Sequence, residues 1–197
     1  MAAPHIPFTT VEEYFKFDEG SESRNEYYRG YVMAMAGGTY EHAQIIGSIV
    51  YALRDALQDR PCDVLATELR LAADADAHYT YPDVMVVCGE PVFQSGRPHT
   101  LTNPILIVEV LSASTEASDR GRKFTDYRRL PSLREYMMVS QTEPRVEVFR
   151  PNQEGHWTLF ESVGQESAVK LASIGVELSM AAIYRRVKFE PEPPVAE

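Results

Sequence analysis

Two short apolar segments, each with a single acidic residue, constrain this chain most. Tyr81–Val87 and Ile105–Leu111 have the composition and length of buried β-strands. The first contains Asp83 and the second contains Glu109. A carboxylate is costly to bury unless it is paired or bound to a metal. The two acids therefore predict either a divalent-metal site or two buried ion pairs with arginine, and these residues alone leave both open.

The length and composition predict one domain. The chain has 197 residues, of which 44% are hydrophobic, enough for a sizeable core. We expect this domain to cover residues 1–186 and the Pro/Glu-rich residues 187–197 to form a disordered tail. The chain has no apolar run of membrane-spanning length and no secretory pattern at its N-terminus. We therefore expect a cytoplasmic protein with no membrane association.

The two cysteines, Cys62 and Cys88, lie in apolar, strand-like surroundings. Their spacing matches no redox or zinc-binding motif. We expect buried free thiols, with a disulfide or a metal site as the less favoured alternatives.

The order of apolar patterns predicts an α+β fold. A capping box at Thr10 and Glu13 begins a short helix, and an apolar stripe at three- and four-residue steps predicts a long helix from Thr39 to about Gln58. Two further helices are expected at Ser118–Leu130 and Met180–Arg185, and a loop at Gly89–Pro104. Strands are expected at Asn25–Tyr28, Tyr31–Ala36, Cys62–Ala66, Glu68–Ala72, Tyr79–Val87, Ile105–Leu111, Glu135–Val139, Arg145–Arg150 and Trp157–Glu161. This pattern predicts one mixed sheet that carries helices.

The charge is unevenly distributed along the chain. The formal net charge is −10, which argues against a protein that coats nucleic acid non-specifically. Residues 119–134 nevertheless contain six basic and two acidic residues. A basic segment beside two carboxylates suits a phosphate-bearing substrate, whereas for each arginine alone a solvated helix face is the simpler interpretation.

The helix after Glu109 places Asp119, Lys123 and Tyr127 four residues apart, so that they share one face. Lys123 is thereby available to a site at the end of the preceding strand, where it could stabilise charge on a phosphate. The alternative is a surface pair between Asp119 and Lys123, which would contribute little.

The start of the long helix offers another acid. Glu41 lies in its first turn, where it either complements the helix dipole or reaches the site of the two strand acids. Gln44 lies one turn further on, beside the apolar stripe. His42 is a weaker candidate than Glu41, because a lone histidine is more often a hydrogen-bonding structural residue than a ligand.

Several of these segments, in this order, resemble the Uma-two family of restriction-endonuclease-like proteins. The resemblance extends from about Asn25 to Tyr184, and its diagnostic pieces are Tyr81–Val87, Ile107–Thr115, Asp119–Tyr127, Arg134–Val139 and Arg145–Phe149. The family is similar to the PD-(D/E)xK nuclease superfamily. The resemblance therefore implies a mixed central β-sheet flanked by helices, with magnesium-dependent hydrolysis of phosphodiester bonds.

The resemblance also implies roles for individual residues. Asp83 and Glu109 match the two motif acids and, with the backbone carbonyl of Val110, would hold magnesium or manganese. The lysine usually found two residues after the second acid is absent, and Lys123 would replace it from the following helix. Glu41 matches a region where related nucleases carry a further catalytic acid.

Substrate contacts follow from the same resemblance. Arg120, Arg122, Tyr127 and Gln44 are the expected substrate-binding residues. The family's Glu-Leu-Ile-Asp-Gly stretch is replaced here by residues 26–30, which lack the aspartate, a change that we expect to carry little catalytic weight.

The resulting functional hypothesis is a magnesium-dependent endodeoxyribonuclease that acts on DNA, expected to be a homodimer. The alternatives are a catalytically inactive binding or assembly protein that keeps the nuclease fold, and a metal hydrolase of small phosphate esters.

Overall fold

The computed structural model describes residues 9–35, 37–66 and 68–189. Its helices are α1 (Val11–Glu19), α2 (Tyr40–Leu57), α3 (Glu116–Ser118), α4 (Phe124–Tyr127) and α5 (Met180–Ile183), with a π-helical turn at Asp119–Lys123 between α3 and α4. Its strands are β1 (Asn25–Tyr28), β2 (Tyr31–Ala34), β3 (Cys62–Ala66), β4 (Arg70–Asp74), β5 (His78–Thr80), β6 (Val84–Cys88), β7 (Phe93–Gln94), β8 (Arg97–Leu101), β9 (Leu106–Val110), β10 (Glu135–Val139), β11 (Arg145–Pro151), β12 (Trp157–Val163), β13 (Ala168–Leu171) and β14 (Val176–Ser179).

A six-stranded mixed sheet, in the order β12-β11-β10-β9-β6-β3, carries the two acids of interest. Within it, β9 pairs in parallel with β10 and antiparallel with β6. A second six-stranded sheet has the order β2-β1-β5-β4-β8-β7, and β13 and β14 form a separate pair. Mixed sheets with helices packed on them confirm the expected α+β class. The expectation of a single sheet was wrong, because the strands on either side of Pro82 belong to different sheets.

The long helix α2 forms where the periodicity predicts it. Thr39 caps it by accepting a hydrogen bond from the backbone N–H of His42 at 3.1 Å. Ile45, Ile49 and Leu53 lie along one face and are fully buried. Burial of each such side chain contributes about 1.5–3 kcal/mol, so the stripe fixes the helix firmly against the sheet.

The two faces of the central sheet contact different helices. Val108 and Val110 of β9 belong to the apolar cluster that contains the α2 stripe. Ile107 belongs to the other cluster, with Tyr127 of α4. Since side chains alternate along a strand, Glu109 points to the same side as Ile107. The helical segment of residues 116–127 therefore lies over Glu109.

One expected strand proved to be two. Tyr79–Val87 is divided into β5 and β6, which belong to different sheets. The break occurs at Pro82, because proline lacks the backbone N–H that a strand residue donates to the neighbouring strand. The division leaves Asp83 immediately before β6 rather than inside a continuous strand.

The expectation of a loop at Gly89–Pro104 was wrong. This segment contains β7 and β8, and β8 pairs in parallel with β4. The prediction failed because its glycines and prolines are typical of loops, whereas β8 forms by pairing with β4, which is distant in the sequence. A strand was also missed at β13, whose partner β14 we expected only as a lead into the last helix.

Smaller differences concern the ends of elements. The strand expected at Glu68–Ala72 lies at Arg70–Asp74, and the helix expected at Ser118–Leu130 covers residues 116–127. The last helix ends at Ile183 rather than Arg185, β11 and β12 extend to Pro151 and Val163, and β2 ends at Ala34, while Ala36 lies outside the described residues.

The expectation of free thiols was also wrong, because Cys62 and Cys88 form a disulfide. Strands β3 and β6 pair antiparallel in a register that puts the two cysteines directly opposite each other. Their Cα atoms are 4.0 Å apart although 26 positions separate them in the sequence. This proximity depends on the register of the two strands, and the register cannot be read from the sequence.

The packed chain extends further than the expected domain end. Val187 is buried, and the Phe189 ring lies 5.2 Å from the Tyr184 ring, centroid to centroid. The rest of the expected tail, residues 190–197, lies outside the described residues. In the part of the chain that the structure describes, no helix has both the length and the apolar character needed to cross a membrane.

Candidate active site

The structure brings Asp83 and Glu109 to the same end of the central sheet. The β6–β9 register pairs Val84 with Val108, so Asp83 lies opposite Glu109 by continuation of that register. Asp83 is 9% exposed and Glu109 is 3% exposed. The Asp83 Oδ2 atom accepts a hydrogen bond of 2.7 Å from the backbone N–H of Val110. The strand register thus places the two acids next to each other at one end of the sheet.

Lys123 points inward from the π-helical turn and contacts three carboxylates. Its Nζ atom lies 3.0 Å from Asp119 Oδ1, 3.1 Å from Glu109 Oε1 and 3.2 Å from Glu26 Oε1. Lys123 is only 5% exposed. The Asp119–Lys123 pair is therefore part of a buried network, and the surface-pair interpretation does not apply.

Glu26 is the residue whose importance the sequence analysis underestimated. It lies on β1, next to β5, and its Oε1 atom accepts a hydrogen bond from Thr80 Oγ1. Arg122 Nη2 lies 3.7 Å from its other oxygen. Residues 26–30 lack the aspartate of the family, but the glutamate that they retain, Glu26, contacts Lys123. That retained glutamate was the signal available in the sequence.

Burial shifts the pKa values of two acids in the cluster, Glu109 and Asp119. Burial raises the pKa of Glu109 to about 8. Lys123 opposes the rise, while the charges of Asp119 and Asp83 add to it. Burial likewise raises the pKa of Asp119. A neighbouring cation would bring both carboxyl groups back towards their charged forms.

The other two groups of the network are held in their charged forms. Burial would raise the pKa of Glu26, but Lys123, the Thr80 hydrogen bond and Arg122 outweigh it and lower the pKa. Burial would lower the pKa of Lys123, but Glu109 and Glu26 raise it well above its ordinary value. Lys123 is therefore an ammonium ion at neutral pH.

His42, rather than the expected Glu41, is the residue of α2 that contacts the acids. His42 Nε2 lies 3.2 Å from Asp83 Oδ2. The hydrogen bond to Asp83 raises the pKa of His42, against the opposing effect of burial. Glu41 makes no hydrogen bond or ion pair with any described residue. Gln44 lines a groove between α2 and the β14–α5 segment, and the lining of that groove includes neither strand acid.

Tyr127 supports the site from inside the core, where its side chain is not accessible to a substrate. Its ring is fully buried, and its hydroxyl donates a hydrogen bond of 2.8 Å to Glu109 Oε1. This contact replaces the substrate contact that we expected of Tyr127. The shared inward face of Asp119, Lys123 and Tyr127, in contrast, is confirmed.

The two arginines lie at the rim of the site and are engaged with protein groups. Arg120 is paired with Glu116 and Glu147 at 2.8 and 2.5 Å. Arg122 donates to Ser118 Oγ at 2.7 Å, and its guanidinium lies 5.1 Å from the centroid of the Tyr28 ring. Both side chains are partly exposed, at 38% and 30%, so a role in contacting phosphates stays a prediction.

A buried pair of one histidine and one aspartate, His78 and Asp126, adjoins the network. His78 Nδ1 lies 2.8 Å from Asp126 Oδ2, and the His78 ring stacks on Tyr127. Burial lowers the pKa of His78, so the ring is neutral at neutral pH. Sequence reasoning missed this pair, because 48 positions separate its members and no local pattern links them.

Asp83, Glu109 and Val110, the residues expected to hold a metal ion, lie at this end of the sheet. Among residues 9–35, 37–66 and 68–189, no three His, Cys, Asp or Glu side chains form a ready-made metal site. Lys123 and His42 instead occupy the positions beside the two acids. Magnesium needs only one or two carboxylates, since it keeps several of its waters.

Comparison with known proteins gives a consistent result. The Uma2 family model, described as "Putative restriction endonuclease", matches residues 11–182. A protein of Synechocystis sp., "Uncharacterized protein slr1290", is 33% identical over 189 residues, which cover 95% of this chain and 98% of that protein. A second one, "Uncharacterized protein sll1609", is 31% identical over 172 residues, with coverages of 87% and 97%.

A solved structure supports the fold. The crystal structure described as a putative nuclease belonging to DUF820, from Anabaena variabilis, superposes with a TM-score of 0.71 at 18% identity. The match covers 89% of this chain and 97% of that one. Family model, relatives and fold agree with the resemblance found in the motifs, and the chain belongs to the Uma2 (Uma-two) family, whose model is described as "Putative restriction endonuclease".

Proposed function

We propose that this chain is a magnesium-dependent endodeoxyribonuclease that hydrolyses phosphodiester bonds of DNA, with manganese as a substitute metal. The observation that carries the proposal is the buried contact of Lys123 with Glu109, at the sheet end where Asp83 also lies. Two core acids can hold a divalent ion, and an inward lysine can stabilise the negative charge that develops on a phosphate.

The residues of the cluster fit a divalent cation. Glu109, Asp119 and Glu26 are buried around a single buried lysine, and the buried Asp83 lies opposite Glu109 in the strand register. Burial raises the pKa of Glu109 to about 8, and the charges of Asp119 and Asp83 add to the rise. Asp83, Glu109 and the Val110 carbonyl would hold the ion. When bound, the ion supplies polarisation of a phosphate oxygen and a bound water of lowered pKa.

The protein residues contribute positioning and charge. Lys123 supplies a permanent positive charge that can stabilise the negative charge developing on the phosphate. Tyr127 fixes the Glu109 carboxylate by hydrogen bonding, and Glu26 fixes the lysine from the opposite side. Arg120 and Arg122, at the rim, are available to exchange their present partners for flanking phosphates.

The test is cleavage of supercoiled plasmid DNA by the purified chain. We expect nicked and linear products with Mg²⁺ or Mn²⁺ and none with EDTA. Asp83→Asn, Glu109→Gln and Lys123→Met should each lower the rate by about 10²-fold or more. Asp63→Asn, an exposed acid on the neighbouring strand β3, is the matched control and should cleave at the wild-type rate.

Three outcomes would contradict the proposal or its assigned site. A folded wild-type protein that binds DNA without cleaving it in either metal would identify a nuclease-fold binding protein. Hydrolysis of small phosphate esters without cleavage of DNA would identify a different hydrolase. Wild-type cleavage by Asp83→Asn would remove the assigned site.

The proposal includes a homodimer, because two-fold symmetry suits a nuclease that cuts both strands of a duplex. Light scattering at micromolar concentration should give twice the mass of the 22.2 kDa chain. A monomer under these conditions would contradict this part of the proposal alone.

A further inference from the structure

The first turn of α2 is anchored to the sheet end that carries Asp83. Thr39, the N-cap residue, donates a hydrogen bond of 2.8 Å to Gln141 Oε1, just beyond β10. Gln141 Nε2 donates a hydrogen bond of 2.6 Å to the carbonyl of Leu111, just beyond β9. Thr39 also accepts from the backbone N–H of His42. The backbone of His42 is thus tied to the ends of both parallel strands.

The side chain of His42 contacts one particular oxygen of Asp83. Asp83 Oδ2 lies 3.2 Å from His42 Nε2 and also accepts the Val110 N–H at 2.7 Å. No described residue donates a hydrogen bond to Oδ1. Two donors on one oxygen fix the rotation of the carboxylate and leave the other oxygen to bind a ligand.

A glycine makes room for this histidine. A Cβ atom added at Gly38 would lie 2.6 Å from His42 Nδ1 and 3.1 Å from its Cγ. Such a contact is too short, so any side chain at Gly38 would displace the ring. A Cβ atom at the adjacent Gly37 would meet nothing within 4 Å. Steric clearance for the His42 ring is therefore required at Gly38 and not at Gly37.

The geometry points to His42 as the positioning residue of Asp83: it holds the carboxylate through Oδ2, with Gly38 leaving space for its ring, so that Oδ1 is presented to a divalent cation. The inference rests on the proposed metal site and adds a residue to it from α2, on the opposite face of the sheet from Lys123. Neither Gly38 nor His42 would itself touch the cation or the substrate.

Manganese binding measured by calorimetry tests this role without any catalytic assay. We expect His42→Ala and His42→Asn to weaken Mn²⁺ binding about 10-fold or more. His42→Gln should retain most of the affinity, because a glutamine amide can place its nitrogen where the imidazole Nε2 lies. A purely structural role for His42 would not separate glutamine from asparagine.

The adjacent glycines provide a matched pair of variants that leave His42 itself unchanged. Gly38→Ala should weaken Mn²⁺ binding in the same direction as His42→Ala, whereas Gly37→Ala should bind as wild type. Equal affinities of wild type and His42→Ala, or equal effects of the two alanine substitutions, would overturn the inference. Thermal denaturation of each metal-free variant verifies that it is folded.

The metal-free protein separates this inference from the proposed function. ¹⁵N NMR of the His42 ring should show a hydrogen-bonded Nε2–H in wild type and Gly37→Ala, and its loss in Gly38→Ala. A wild-type protein that binds no Mn²⁺ but shows this hydrogen bond contradicts the metal site and supports the positioning of Asp83. A wild-type protein that lacks the hydrogen bond overturns the positioning role, whatever its metal affinity.

Discussion

Removal of the Lys123 charge should destabilise the protein strongly and in a pH-dependent way. The ammonium contacts Glu109, Asp119 and Glu26 within 3.0–3.2 Å, and all four groups are buried. Loss of one partner from a buried ion pair costs about 3–5 kcal/mol, because the other charge stays buried and uncompensated. Glu26, whose pKa Lys123 lowers in wild type, can escape part of this cost by taking up a proton. We therefore expect Lys123→Met to lower the free energy of unfolding by about 3 kcal/mol at pH 8.

The sign of the pH dependence follows from the carboxylates. The folded-state pKa of Lys123 lies above its unfolded value, so its contribution is fully present below pH 10 and does not vary between pH 5 and 8. In Lys123→Met, Glu26 loses the cation that keeps its pKa low, so burial raises its pKa and it binds a proton that the unfolded chain has lost. The pKa of Glu109 is raised in wild type as well, so Glu109 changes the stability of both proteins in the same direction. The stability of the variant should therefore fall as the pH rises from 5 to 8, and its deficit relative to wild type should grow.

Urea denaturation at pH 5, 6.5 and 8 measures this difference from the midpoints, provided that the slopes agree. Lys16→Met, which removes an exposed lysine of α1, is the control and should change the free energy of unfolding by less than about 0.5 kcal/mol. A Lys123→Met deficit below about 1 kcal/mol at pH 8, or one that is constant with pH, would refute the buried network as the origin of the effect.

Three further predictions concern single contacts. The affinity for Mn²⁺ should rise with pH up to about 8, because Glu109 must lose its proton to bind the ion, and calorimetry at several pH values measures this rise. Tyr127→Phe should remove the hydrogen bond to Glu109, lower the free energy of unfolding by about 1–3 kcal/mol in urea titrations, and move the pH profile of metal binding to higher pH. Replacement of both Cys62 and Cys88 by serine should cost about 3 kcal/mol of stability, as expected for a loop of this length, without changing the affinity for Mn²⁺ at fixed pH.

Local patterns predicted the parts of the site that depend on single elements. The α2 stripe of Ile45, Ile49 and Leu53 follows from helical periodicity alone, and the structure has that helix where the stripe predicts it. Asp83 and Glu109 were identified because an acid in an apolar strand needs a partner. These inferences hold because each depends only on residues a few positions apart.

Contacts between distant strands were beyond local patterns. Glu26 enters the network because β1 pairs with β5, which places it beside Thr80. The disulfide depends on the β3–β6 register, and β8 depends on its pairing with β4. The sequence gives no independent measure of such registers, and a shift of one residue would reverse every side chain.

The choice between Glu41 and His42 is an intermediate case. His42 lies three residues before Ile45 and seven before Ile49, so helical periodicity places it close to the buried stripe. Its neighbour Glu41 was preferred on the chemistry of its side chain. The helix phase, had it been applied to the first turn, would have favoured the histidine.

The π-helical turn at Asp119–Lys123 has a consequence for how this helix tolerates changes in length. A π-helical turn contains one residue more than an α-helical turn, and here it lies between α3 and α4. Deletion of one residue from it, such as Gly121, would restore regular α-helical spacing. The two flanking segments would nevertheless keep their relative orientation, because the π-helical turn absorbs a residue that in a regular α-helix would rotate them by about 100°. Lys123 and Tyr127 would both stay beside Glu109, so this segment should accept the loss of one residue at the turn, which a regular α-helix carrying the same contacts would not.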